Sequence, residues 1–441
     1  MTRPPSRPVT TTPTATDPSA SPEAGGPRPP DSVRRSVSWT LFGELGYAAA
    51  QFLTLVVIAK LGSPEALGRF SLGLALATPI VIFTHLHLRP IYVVDTRSRW
   101  GFADFLGLRT LLLPLALVIV AAVCLIQGWD WRTNAVVLLV TLVRISDGFS
   151  DIYYAKAQRA EAMDPIGISR AVRGLLWITL LAVGMVVADD VVALALVTGV
   201  MVVHTLAYDL RKAKSVVIAD DPSGASMRPR FDPEALRGLA REALPIGLAA
   251  GLLGLSGNIP AYILEEHHGV AAVGILAAVM SVRQASGVVN MALGNAAIAR
   301  LAKLSVDDAR GFWRLLAKLS LLVLFLNGLG ALAMVWLGEF YLRYAYTEEY
   351  VAYLPELILA AIAAVFIGLA NILSQTLTAL SQFRMQLWIN LVVVVLSLVF
   401  GIWRIPEHGL AGAVEAFLIV SVLRLVIYAV ANLRFGPRVN S

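Results

Sequence analysis

Hydrophobic runs of about 20 residues recur along the whole chain, each the length of an α-helix crossing roughly 30 Å of hydrocarbon. In lipid every backbone N–H and C=O must be satisfied internally, so long apolar runs are helices. The ten-residue alternation of a membrane β-barrel is absent. Of 441 residues, 57% are hydrophobic and 15% charged, against about 25% charged in a soluble domain. The fold class read from this is an all-α polytopic membrane protein of about twelve helices. They are placed at 38–60, 66–87, 110–127, 135–155, 166–187, 191–210, 244–263, 269–298, 315–337, 353–378, 385–402 and 409–432.

Charge sets the topology. With the N-terminus cytoplasmic, the inner loops hold Arg89, Arg97, Arg99, Arg109, Lys156, Arg159, Arg211, Lys212, Lys214, Arg228, Arg230, Arg237, Arg241, Arg300, Lys303, Arg310, Arg314, Lys318 and Arg384. The outer loops hold Arg132, Arg343 and Arg404, with Lys60 and Arg69 on flanking helix ends. A missed helix would swap the sides downstream, so this asymmetry supports the helix count and puts both termini inside. The net charge of +6 is therefore a topology signal, and no nucleic-acid partner is expected. Residues 1–35 are Pro-, Thr- and Ser-rich and read as a disordered cytoplasmic tail. The hydrophilic insert 211–241 divides a first six-helix bundle, 36–210, from a second, 242–435. An internal echo links the two. Ala66-Leu67-Gly68-Arg69-Phe70 opens the second helix of one half, and Ala272-Val273-Gly274-Ile275-Leu276 opens that of the other. Leu410-Ala411-Gly412-Ala413 opens the last helix. Small residues there let neighbouring helices approach closely.

Several chemistries are missing. There is no Gly-x-x-x-x-Gly-Lys-Ser/Thr phosphate loop and no His/Cys pair at zinc spacing. Cys124 is single, so no disulfide forms within the chain. His267 and His268 are adjacent, and His85 and His87 diverge on a helix. No cofactor or metal is expected. No outer loop exceeds about 14 residues by this assignment, which leaves little room for an outer catalytic domain.

Ionisable residues at membrane depth face protein or water. Here they are Arg144, Arg170, Arg173, Arg283 and Arg424, with Glu44, Asp147, Asp151 and Glu415. Arg144, Asp147 and Asp151 share one helix face. They form either a pair locking helices together or a cavity wall with a titratable acid. Arg283, within Ser281-Val282-Arg283-Gln284-Ala285-Ser286-Gly287, has no acid within one turn. That suits a water-filled cavity better than a packed seam. Arg170 and Arg173 either snorkel to the interface or contact substrate, and Glu44 either pairs with an arginine or carries a coupling proton. Helix direction puts Arg89, Arg170, Arg173 and Glu44 towards the cytoplasmic leaflet, with Arg144 and Arg283 deeper. A cationic cavity of this kind suits a lipid phosphate or diphosphate, because guanidinium forks match phosphate oxygens. Asn258-Ile259-Pro260, Pro79 and Pro114 interrupt three helices and permit bending.

Three stretches together resemble the polysaccharide-exporter branch of the multidrug/oligosaccharidyl-lipid/polysaccharide (MOP) superfamily, the Wzx-like oligosaccharide flippases. They are Gln51-Phe52-Leu53 through Leu61-Gly62-Ser63-Pro64-Glu65-Ala66-Leu67-Gly68-Arg69-Phe70-Ser71; Leu86-His87-Leu88-Arg89 with Val94-Asp95-Thr96-Arg97 and Leu108-Arg109; and Leu244-Pro245-Ile246-Gly247 through Asn258-Ile259-Pro260-Ala261-Tyr262 to Val273-Gly274-Ile275. The resemblance implies two six-helix bundles around a central cationic cavity in a bacterial inner membrane. It implies flipping of a polyprenyl-diphosphate-linked oligosaccharide by alternating access, with membrane lipids and polysaccharide polymerase or export machinery as partners. The expected substrate-binding residues are Arg283, Arg144, Arg89, Arg170 and Arg173, and the expected ion-coupling residues are Asp147, Asp151 and Glu44. Two alternatives are a cation-coupled drug or metabolite antiporter of the same fold and a membrane glycosyltransferase or polymerase. Exporters of cationic drugs want acidic cavities, which separates the first from the leading reading.

Overall fold

The computed structural model describes residues 30–95, 99–218, 221–224 and 226–437. Among these the chain is helical and carries no strand. The helices are α1 (Pro30–Leu61), α2 (Pro64–His85), α3 (Leu88–Val94), α4 (Phe102–Gln127), α5 (Trp131–Arg159), α6 (Asp164–Val187) and α7 (Asp190–His204). A π-helical turn, Thr205–Asp209, leads into α8 (Leu210–Ser215). Then come α9 (Pro233–Ser256), α10 (Ile259–Asp307), α11 (Ala309–Ala345), a 3-10 turn (Glu348–Tyr353), α12 (Leu354–Ala379) and α13 (Phe383–Phe435).

Their starts follow local chemistry. A side-chain oxygen before the first turn accepts an orphan backbone N–H. Ser63 accepts from Ala66 with Pro64 in the first turn, Asp130 from Arg132 and Thr133, Asp189 from Val192 and Asp308 from Gly311.

Eight described segments are long and apolar enough to cross a membrane, and the chain is a multi-pass membrane protein. Helix α5 is not among the eight; it carries Arg144, Asp147 and Asp151 and is packed against α2, α3, α4, α7 and α8. Neighbouring helices, not lipid, surround its charged face, which is the condition for charge at membrane depth.

Two of the elements are helical hairpins. Gly409 in α13 has φ 54° and ψ −128°. Tyr428 Oη donates to Asn390 Oδ1 at 3.0 Å across 38 residues, which a straight helix would hold about 57 Å apart. Gly269 in α10 has φ 80° and ψ 174°, and Ala261 and Ala277 on either side of it line one cavity. Only glycine takes such positive φ without strain. The chain therefore reverses at Gly269 rather than through a loop, and His267 and His268 belong to helix α10. The apolar span that sequence placed at 244–263 is instead broken between Ser256 and Ile259, where Pro260 sits in the first turn of α10.

The echoed glycines meet. A Cβ on Gly68 would overlap the Val270 carbonyl, and one on Gly274 would overlap that of Pro64 and lie 2.8 Å from the Gly68 nitrogen. Helices α2 and α10 thus cross with backbones in contact, and one apolar core runs through the crossing, from Leu55 and Leu67 to Val273, Leu276, Leu357 and Val414.

The structure differs from expectation at the inner segments. Residues 30–35, read as tail, belong to α1. Arg89 lies in α3 and Arg109 in α4, where its side chain is fully buried, rather than in a loop. Lys156 is likewise fully buried, its Nζ near Met227 Sδ and the Phe102 ring. Part of the insert docks on the start of α4. Asp221 accepts from Tyr92 Oη at 2.7 Å and from the Phe102 N–H, Ser223 Oγ from the Ala103 N–H, and Arg230 N donates to the Ala103 carbonyl. A hydrophilic stretch looked like a spacer in sequence because these acceptors serve a helix start over 100 residues earlier.

Candidate functional site

A chamber of about 720 Å³ lies between α1, α2, α5 and α6 on one side and the α9–α10 break and the second limb of α10 on the other. Its polar wall is Tyr47, Gln51, Thr54, Thr78, Arg144, Asn258, Arg283 and Gln284; the rest is apolar, including Phe52, Phe70 and Trp177. No Asp or Glu appears in this wall among the described residues. Two smaller spaces share its residues. One, about 240 Å³, is lined by Tyr47, Arg144, Asp147, Asp151, Tyr154, Arg170 and Arg173 among others. The other, about 110 Å³, lies between Asn258, Pro260, Arg283, Gln284 and Phe417.

In the first half, guanidinium groups share carboxylates. Asp147 is paired with Arg144 at 3.3 Å and with Arg173, and accepts from Tyr47 Oη at 3.2 Å. Arg173 is 3% exposed and also faces Asp209 at 3.6 Å. Asp209, fully buried, accepts from Ser150 and Ser169 at 2.7 and 2.5 Å. The π-helical turn that ends at Asp209 holds Thr205 in the same network, where it accepts from Arg173 at 2.8 Å. One step along α5, Asp151 is paired with Arg89 at 3.1 Å and Arg109 at 3.4 Å. Arg170 lies over the rings of Tyr47 and Tyr154.

The second half is different. Arg283 has no carboxylate partner among the described residues; its Nε is buried without an acceptor and its guanidinium lies over the Phe417 ring at 5.5 Å. Arg424, 9% exposed, donates to Asn371 Oδ1 at 2.9 Å, lies over the Tyr428 ring, and also leaves Nε without an acceptor. Nearer the end that carries Gly409, Arg404 and Glu415 neutralise one another.

The fold matches known transporters. A solved inward-facing multidrug resistance MATE-family transporter of the MOP superfamily aligns with a TM-score of 0.61 at 12% identity, covering 92% of this chain and 93% of its own. The lipid II flippase MurJ in an inward closed conformation aligns at 0.61 and 11%, over 91% and 86%. The chain shares its fold with these two proteins. No family model matches the chain. In sequence, it is 23% identical over 386 residues to a capsular polysaccharide biosynthesis protein, CapF, of Staphylococcus aureus, spanning 86% of this chain and 94% of that one.

Within this fold, the residues singled out in sequence fall into two places. Arg144 and Arg283 come together on the wall of one chamber. Arg89, Asp147, Asp151 and Arg173 are ion-paired, and Asp147, Asp151, Arg170 and Arg173 line the adjoining space. Arg173 does not snorkel: it is enclosed by Asp147, Asp209, Ser150 and Thr205. The Glu44 side chain lies outside the described residues. Sequence reading missed Asp209 and Arg109, both assigned to helix ends and loops; the signal for Asp209 was a polar row of Thr205 and Asp209 closing an apolar helix.

Proposed function

We propose that this protein flips a polyprenyl-diphosphate-linked oligosaccharide from the cytoplasmic to the outer leaflet of a bacterial inner membrane, for polysaccharide biosynthesis, by alternating access. In this reading the two hairpins and the continuation of α9 into α10 across the Asn258 break bring the spans to twelve. They form two six-helix bundles, 36–210 and 242–435, joined by 211–241, with both termini cytoplasmic. The observation that carries the proposal is the composition of the chamber wall. Arg144 and the unpaired Arg283 face it, and no acid does among the described residues. Such a wall favours an anionic head group and disfavours the cations that an acidic drug site would hold. A volume of about 720 Å³ also lies in the range of about 300–1,000 Å³ usual for small-molecule sites, enough for a head group while the lipid tail stays outside. The likeness to a lipid flippase and to a capsular polysaccharide protein supports the same substrate class.

Arg283 is assigned the diphosphate, with Arg144 as its second contact once Asp147 turns to Arg173. Asp147 and Asp151 are assigned ion coupling, because each holds two guanidinium groups whose release would change the cavity's charge. Helices α2 and α10, crossing at Gly68 and Gly274, close the far end of the chamber in the state described. The test is export in cells carrying Arg283→Ala. The variant inserts and accumulates but exports no glycan; normal export would remove Arg283 from the site. The antiporter reading would instead gain support from pH-driven efflux of a cationic dye that survives Arg283→Ala.

A further inference from the structure

We infer that the small space beside the chamber takes the second phosphoryl group of the substrate, and that Ser71 is the residue that tells a diphosphate from a monophosphate. This rests on the reading of the chamber as a polyprenyl-diphosphate site and adds a specificity determinant to it. The space, about 110 Å³, lies between α2, the α9–α10 break and the second limb of α10. It adjoins the chamber, because Leu55, Leu74, Asn258, Arg283 and Gln284 line both. It also adjoins the helix crossing: Ser71 stands one turn from Gly68, and Val273 is next to Gly274.

Two residues of this wall carry buried polar atoms without a partner. Ser71 is 8% exposed, and its Oγ makes no hydrogen bond. A helical serine commonly folds its hydroxyl back on a carbonyl three or four residues earlier, as Ser281 does to Ala278 and Ser421 to Phe417. Ser71 does not, so its O–H donor is unspent. Arg283 Nε is the second such atom. The Arg283 guanidinium lies over the ring of Phe417, which lines the small space and not the chamber. Buried polar groups are nearly always satisfied, so two orphans on the wall of one cavity call for an occupant. Charge selects which. Arg283 has no carboxylate partner among the described residues, and no Asp or Glu lines the space. A hydroxyl and a guanidinium N–H beside an uncompensated positive charge suit a phosphate oxygen better than a neutral water. Gln284 adds an amide that can donate, whereas Asn258 Nδ2 is spent on the Gly254 carbonyl. Arg283 belongs to both walls, Arg144 to the chamber and Ser71 to the small space. Arg283 can therefore hold one phosphoryl group on each side, and a monophosphate leaves Ser71 unmatched.

The experiment measures binding of a polyprenyl diphosphate, the polyprenyl monophosphate and the polyprenol, all of one chain length, to the purified full-length protein in detergent. The wild type should bind the diphosphate about tenfold or more tighter than the monophosphate. Ser71→Ala should cut that ratio to about threefold or less while leaving the affinity for the monophosphate unchanged. Ala277→Leu fills the small space without touching the chamber and should act in the same way; it decides the matter if Ser71→Ala fails to accumulate. Charge alone would also favour the diphosphate, but that advantage would survive both variants. An undiminished ratio in Ser71→Ala or in Ala277→Leu, or equal binding of the two phosphates by the wild type, overturns the inference and leaves the chamber reading intact; the small space then holds water only. A wild type that binds the polyprenol as tightly as either phosphate overturns the chamber reading, and the inference with it.

Discussion

The two halves of this molecule handle the same problem, arginine at membrane depth, in opposite ways. In the first half Arg89, Arg109, Arg144 and Arg173 share Asp147, Asp151 and Asp209, so each guanidinium has a carboxylate. In the second half Arg283 and Arg424 have none among the described residues. Ion pairs of this kind fix helices in place, and breaking one leaves a buried charge exposed to apolar surroundings. Unpaired arginines do the reverse: they are costly unless something negative arrives. The difference assigns rigidity to the first half and ligand demand to the second, with the chamber where the two meet.

The largest effect is expected where the first half's network is fully buried. Asp209→Leu removes a carboxylate that serves Arg173, Ser150 and Ser169, and should lower stability by about 3–5 kcal/mol, read as loss of thermal unfolding temperature in detergent. Next comes a change that makes the second half resemble the first. Gln284→Glu puts a carboxylate on the chamber wall beside Arg283 and should weaken binding of a diphosphate head group by about tenfold, or about 1.4 kcal/mol, by titration. The reverse swap is Asp147→Asn. It frees Arg144 towards the chamber while Asp209 still holds Arg173, so head-group affinity should rise about threefold as stability falls by about 1–3 kcal/mol. The smallest effect belongs to the exposed contacts of Arg343 with Glu339 and Glu348; Arg343→Ala should leave the thermal unfolding temperature in detergent unchanged.

Much of this was legible in the sequence, for physical reasons. Apolar length marks which segments can cross a membrane, and eight described segments are long and apolar enough to do so. The unpaired state of Arg283 was readable because the segment from Ser281 to Gly287 has no acid within a turn. The Gly68 and Gly274 echo pointed to close helix approach, and the two residues are at the same crossing. What was not legible was long-range pairing. Nothing local shows that Arg173 meets Asp209 across 36 positions, that Arg109 turns inward to Asp151, or that Asp221 caps a helix at Phe102. The reversals at Gly269 and Gly409 were hidden because a single glycine does the work of a loop.

The most direct test of the central claim is a binding comparison on the purified full-length protein, between a polyprenyl diphosphate and the same polyprenol without phosphate. The wild type should prefer the diphosphate by about tenfold or more, and Arg283→Gln should erase the preference without altering binding of the polyprenol. Equal affinity for both lipids in the wild type, or an undiminished preference in Arg283→Gln, would contradict it.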